Sequence, residues 1–231
     1  AEGNYAEKFA NYFQPDVKTP WGNAVNLDGP GSDNVRRFFI DNALMWLRDY
    51  QCDGLRLDAT HAFVDQSPQH FLAQLTTEVK TMAAALGRHV FLIAESDLND
   101  PRVVRSVEEG GWGFDAQGNE DFHHALHTLL TGENFGYYLD YGEIVDLAKV
   151  LAENFCVYDR FSNHRQKVHG RSAKGIEGSR FIAFGQNHDQ TGNRGTGERL
   201  GHLVTAGQGK LGAAVTLLGP FIPMLVLGVE W

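Results

Sequence analysis

Cysteine is scarce in this sequence: Cys52 and Cys156 are the two among 231 residues. Two thiols cannot build a disulfide scaffold, so the fold must rest on its core; two buried thiols in a reducing, cytoplasmic setting are expected, with a single bridge as the alternative. Long apolar runs are missing too. The most apolar stretch, 211–229, is broken by Gly219, Pro220, Pro223 and Gly228, short of the roughly 18 residues that a membrane span needs. Positive charge is in deficit, with 20 Lys+Arg against 29 Asp+Glu and a net charge of −9. An acidic surface repels a phosphate backbone, so no nucleic-acid partner is expected, whereas a neutral polar ligand such as a sugar meets no penalty. There is no internal repeat and no charged-then-apolar leader. Neither GxGxxG nor GxxxxGK occurs, which removes the usual phosphate-cradling loops. What is present is 42% hydrophobic and 21% charged, a globular composition. The chain starts on Ala1 and stops inside the apolar 225–231. Both ends are therefore expected to be cuts through a larger domain.

Periodicity gives the elements. Residues 1–31, rich in Gly, Asn, Pro and aromatics, read as irregular. Val35, Phe39, Ala43 and Trp46 fall at helical spacing and predict a helix over 33–49, with Ser32 as its cap. Residues 53–58 alternate like a strand. Ser67, Pro68 and Gly87 bracket the clearest helix, with an apolar stripe of Phe71, Leu75, Val79, Met82 and Leu86. The run His89–Ala94 suits a strand buried on both faces. Helices are expected over 120–130 and 141–154. Residues 159–179, with Arg160, Arg165, Lys167, Arg171 and Lys174, read as a solvated loop. A strand over 180–185, a Gly/Ala/Leu-rich helix and a strand near 222–227 follow. Strands alternating with helices mean a parallel α/β architecture. Polar residues at the C-terminal strand ends favour a (β/α)8 TIM barrel, which places its site there. An open doubly wound sheet is the alternative.

Three expected strand ends carry carboxylates: Asp58, Glu95 and Asp189. The strand period of two puts Arg56 and Asp58 on one face and Leu55 and Leu57 on the other. A cation beside Asp58 keeps it ionised. Glu95 follows an apolar run without a basic neighbour in sequence, which raises its pKa. Two carboxyls with divergent pKa values suit glycoside hydrolysis, one as nucleophile and one as acid. A retaining pair should stand roughly 5–5.5 Å apart.

Gly54-Leu-Arg-Leu-Asp-Ala59, Ala94-Glu95 and Asn187-His188-Asp189 together resemble three sequence regions of the α-amylase family of glycoside hydrolases. Their order matches barrel strands four, five and seven of that family. The resemblance implies that Asp58 is the nucleophile, Glu95 the acid/base and Asp189 the transition-state stabiliser. Arg56 and His188 would lie around the sugar at the cleavage site. It implies no metal or organic cofactor. Thr19-Pro-Trp-Gly-Asn23, Glu95-Ser-Asp-Leu-Asn-Asp-Pro-Arg102, Asp121-Phe-His-His-Ala-Leu-His127 and Gln186-Asn-His-Asp-Gln-Thr-Gly-Asn-Arg194 are similar to members that cut the α-1,4 bond next to a terminal trehalose. On this reading residues 1–231 are about strands four to eight of one catalytic barrel, without its N-terminal strands or C-terminal domain. The family's Asp-Asn-His region at strand three is not in the sequence. Gly118 stands where a bulky aromatic is expected, and Leu227-Gly228-Val229-Glu230 replaces an acidic pattern.

Further substrate contacts are expected from His61, three residues after Asp58, and from Asp121 or His124. Trp21 and Tyr5 could stack on sugar rings. His123 and His127 stand at a metal-like spacing, but His124 occupies the place of the Glu in HExxH, so no metal is expected. A glucan transferase of the same family, such as a branching enzyme, and an inert sugar-binding fragment are the rival readings.

Overall fold

The structure is a computed structural model that describes residues 5–227. It divides into two compact units, Ala1–Glu95 with Arg102–Asp115, and Ser96–Pro101 with Ala116–Trp231.

The first unit opens on an antiparallel hairpin, β1 (Phe13–Thr19) and β2 (Gly22–Val25). Residues 13–19 and 22–25 are therefore strand, not irregular. Pro15 hid this from the sequence pattern. It sits where the register shifts between Gln14 and Lys18, and a bulge is where a strand tolerates proline. Helix α1 (Ser32–Arg48) follows. Ser32 is its first residue rather than its cap, because Gly31 at φ 79° turns the chain into it. The buried face is also rotated from the expected one, to Val35, Arg36, Ile40, Ala43 and Leu47, while Trp46 is exposed.

The rotation comes from Arg36, buried against Asp65 at 2.9 Å. Its guanidinium also donates to Ser67 Oγ, Leu27 O and Gln69 O. That fixes 65–70 as a loop. The Ser67 hydroxyl faces Arg36 and does not cap the next helix, which starts three residues beyond Pro68 as α2 (Phe71–Ala85). His70 Nδ1 caps it by accepting from Leu72 N at 3.2 Å. Phe71, Leu75 and Val79 are buried as expected, whereas Leu86 is exposed.

Between and after these helices run β3 (Gly54–Leu57) and β4 (Phe91–Ala94), paired in parallel. Gly54 is required here, since a Cβ would stand 2.6 Å from Phe91 O. In β4 Leu92 and Ala94 are buried, but Phe91 is 58% exposed. The run is buried on one face rather than both.

The second unit comprises β5 (Ala116–Gly118), α3 (Glu120–Thr131), α4 (Ile144–Glu153), the antiparallel pair β6 (Arg160–Ser162) and β7 (Lys167–His169), β8 (Phe181–Ala183), α5 (His188–Gly192), α6 (Leu200–Leu203), α7 (Ala206–Leu218) and β9 (Ile222–Pro223). Strands β5, β8 and β9 pair in parallel, with β8 central and fully buried. A core of Phe122, Leu126, Val150, Phe155, Phe181 and Phe221 lies among α3, α4 and these strands. Parallel strands followed by helices in each unit agree with the barrel reading.

Three expectations change here. Helix α4 starts at Ile144, where Glu143 and Asp146 form a reciprocal cap. The solvated loop 159–179 holds the β6–β7 pair instead, and Arg165 at its turn is largely shielded from solvent and ion-paired to Asp97. The last strand ends at Pro223 rather than near 227. Gly118 lies in β5, opposite Ile182. The departure at Gly228-Val229-Glu230 falls outside the described residues.

Candidate active site

The register of β3 against β4 pairs Leu57 with Ala94. The next residue on each strand is a carboxylate, Asp58 and Glu95. The ladder carries on past them, with Glu95 N donating to Leu57 O at 2.9 Å and Thr60 N to Glu95 O at 3.0 Å. Ala59 takes φ 44°, an uncommon conformation for a residue with a Cβ. That turn aims its N–H at Glu95 Oε2, 2.8 Å away.

Arg56 points to the same side as Asp58, as the strand period requires. Its Nη1 lies 3.0 Å from Asp58 Oδ1 and its Nη2 3.2 Å from Glu95 Oε2. Glu95 therefore does have a basic neighbour, supplied across the sheet rather than along the sequence. Its pKa is nevertheless raised. Burial is the main cause and a hydrogen bond with Asp58 adds to it, against the Ala59 N–H and Arg56. Asp58 is open to solvent, with its side chain 80% exposed. The Arg56 guanidinium reaches both carboxyls, at 3.0 and 3.2 Å, so the two stand on the same side of the sheet. The raised pKa favours the acid form of Glu95, beside an Asp58 that Arg56 contacts. His61 lies in the turn that follows, its ring 5.8 Å from that of the exposed Trp21.

Asp189 and His188 belong to the second unit, in the short helix α5. The Asn187 side chain caps it by accepting from Asp189 N and Gln190 N. His188 Nε2 lies 3.4 Å from Asp189 Oδ2, and both side chains are exposed, 64% and 43%.

Asp121 corrects an expectation. Its carboxylate is buried, at 1% exposure, and every direction around it is taken. Asn99 Nδ2 donates at 2.8 Å, Tyr141 OH at 2.6 Å, Cys156 N at 2.7 Å and Val157 N at 2.8 Å. No lone pair is left for a sugar hydroxyl. The residue instead ties the segment just after Glu95 to the start of α3. His124 is buried as well, among Tyr137, Tyr138 and Tyr141. Both nitrogens of His123 are engaged, by Gly185 O at 2.9 Å and Tyr138 OH at 2.8 Å, which leaves neither for a metal.

The chain is 46% identical over its whole length to a malto-oligosyltrehalose trehalohydrolase of Saccharolobus solfataricus and 47% identical, over 99% of its length, to that of Arthrobacter ramosus. Along this stretch the chain is similar to the malto-oligosyltrehalose trehalohydrolases. It spans about 40% of the length of these two relatives. A solved structure of a candidate alpha amylase from Salmonella typhimurium superimposes on 99% of the chain with a TM-score of 0.89 and 35% identity, using 39% of that protein. The fold is thus that of the α-amylase barrels. No protein-family model matches.

The sequence pattern left Asn99, Tyr138, Glu133 and Arg194 unmarked. The signal for Arg194 was its place at the end of the 186–194 motif. For Tyr138 there was none, because its role depends on the packing of residues 136–138 against α3.

The buried imidazoles carry a pH dependence. Burial, then His127 beside it, pushes His123 down to about 3. Burial also lowers His124 strongly, and lowers His127 although Glu133 opposes it. In the unfolded chain each titrates near pH 6.5. The folded values lie below the unfolded ones, so the unfolded state binds protons first as pH falls. Stability is expected to fall from about pH 6.5 down towards 3. Denaturation midpoints measured between about pH 7 and 4.5 should drop in the parent and drop less in His123→Gln. A flat profile in the parent would contradict this.

Proposed function

We propose that this chain is about strands four to eight of the catalytic barrel of a retaining glycoside hydrolase. It would cleave the α-1,4 bond next to the terminal trehalose of a maltooligosyl trehalose and release trehalose. The observation that carries the reading is Arg56 spanning Asp58 and Glu95, with Glu95 pushed towards its protonated form. Asp58 attacks the anomeric carbon while Glu95 protonates the leaving oxygen. Glu95 then deprotonates the water that releases the glycosyl group from Asp58. Asp189 stabilises the oxocarbenium-like charge. Arg56 and His188 border the cleaved sugar, and His61 with Trp21 offers an edge for the leaving side. The chemistry asks for no cofactor. No helix among the described residues is long and apolar enough to cross a membrane. The two unbridged thiols support a cytoplasmic location.

Trehalose has no reducing end, so a pocket that hydrogen-bonds its hydroxyls penalises ligands that leave those groups unpaired. The full-length protein is expected to release trehalose from maltooligosyl trehalose at least about tenfold faster than maltose from a maltooligosaccharide of equal length. Both substrates are supplied at equal concentration, and trehalose, maltose and α-1,6 branches are quantified. Equal rates would reduce the activity to that of a general amylase, and abundant branches would make it a transferase.

A further inference from the structure

We propose that His123, backed by Tyr138, and Arg194, held by Glu133, are positioning residues for Asp189: they fix the two ends of the segment that carries it. The inference rests on the reading of Asp189 as the transition-state stabiliser.

Asp189 sits in a helix of five residues. So short a helix has little stability of its own. The position of its backbone therefore follows how residues 185–194 are anchored.

Upstream, the anchor is the Gly185 carbonyl. It accepts from His123 Nδ1 at 2.9 Å. A neutral imidazole that donates from Nδ1 must accept at Nε2, and there Tyr138 OH donates at 2.8 Å. The hydroxyl thus selects the tautomer that holds the carbonyl. The ring of Phe184, one residue earlier, stacks on His123 at 22°.

Downstream, Arg194 grips Glu133 with both arms of its guanidinium, at 2.6 and 3.0 Å. A bidentate fork fixes direction as well as distance. Glu133 in turn accepts from His127 Nε2 at 2.7 Å. His127 stands one turn beyond His123 on α3 and stacks on Tyr138 at 4.4 Å. One face of α3 therefore stands behind both ends of the Asp189 segment, directly through His123 and by way of His127 and Glu133 at Arg194, with Tyr138 joining the two anchors. Burying two imidazoles costs acid stability, which an apolar pair at the same positions would not.

The test uses the full-length protein with maltooligosyl trehalose. A displacement of about 1 Å at a catalytic group can cost about 100-fold. His123→Leu is expected to lower kcat about 30- to 100-fold with KM changed less than about threefold. His123→Asn, whose amide N–H can take the place of Nδ1–H, should recover most of the loss. In an Asp189→Asn background, His123→Leu should add less than about threefold, because the group it displaces is already disabled. Hydrogen exchange over 186–193 reads the anchoring without substrate, and should quicken in His123→Leu. If that variant does not fold, Tyr138→Phe carries the same measurements. A rise in KM alone, a full multiplicative loss in the Asp189→Asn background, or unchanged exchange would overturn the proposal. An Asp189→Asn variant with parental kcat would remove the reading of Asp189 itself. A disabled Asp189→Asn beside an unaffected His123→Leu would remove only the positioning.

Discussion

Asp58→Asn in the full-length protein is expected to lower kcat by about 10⁴-fold or more on every glycoside, whatever its leaving group. Asparagine keeps the shape but cannot form the glycosyl ester. Glu95→Gln should lose as much on maltooligosyl trehalose, whose leaving oxygen needs a proton. On a glycosyl fluoride or an activated aryl glycoside it should lose about 100-fold less, because such groups depart with little protonation. The geometry supports this split. Glu95 is the half-buried carboxyl with the raised pKa, and Asp58 is the exposed one. The sign of the pH dependence follows. The acid form of Glu95 is required, so the rate falls as pH rises through its raised value. Comparing both variants on the two substrate types checks the assignment, and an identical response to leaving group would reverse or abolish it.

Asp121→Ala is expected to destabilise the protein by about 4 kcal/mol or more. Four buried donors, on Asn99, Tyr141, Cys156 and Val157, lose their common acceptor. Each unsatisfied donor costs about 1–3 kcal/mol before relaxation and water recover part of it. A whole domain holds about 5–15 kcal/mol, so folded protein should become scarce. Asp121→Asn should be little better, since its amide N–H group would face donors. The check is the denaturant midpoint of the full-length variants beside their KM. A sugar contact would produce the opposite pattern, a raised KM at parental stability.

The sequence by itself determined the alternation of strands and helices, the strand-end carboxylates Asp58 and Glu95, and the side-sharing of Arg56 with Asp58. These are local facts, fixed by periods of 2 and 3.6 residues and by short motifs. Tertiary structure decided what the other polar residues do. Asp121 looked like a sugar ligand until Asn99, 22 positions away, and the backbone of 156–157 filled its lone pairs. Arg165 looked solvated until the β6–β7 turn brought it to Asp97, 68 positions away. Arg36 on an apolar stripe became intelligible once Asp65 met it across a loop. A buried charge is tolerated only where a partner satisfies it. That partner comes from a remote part of the chain, which no local pattern encodes.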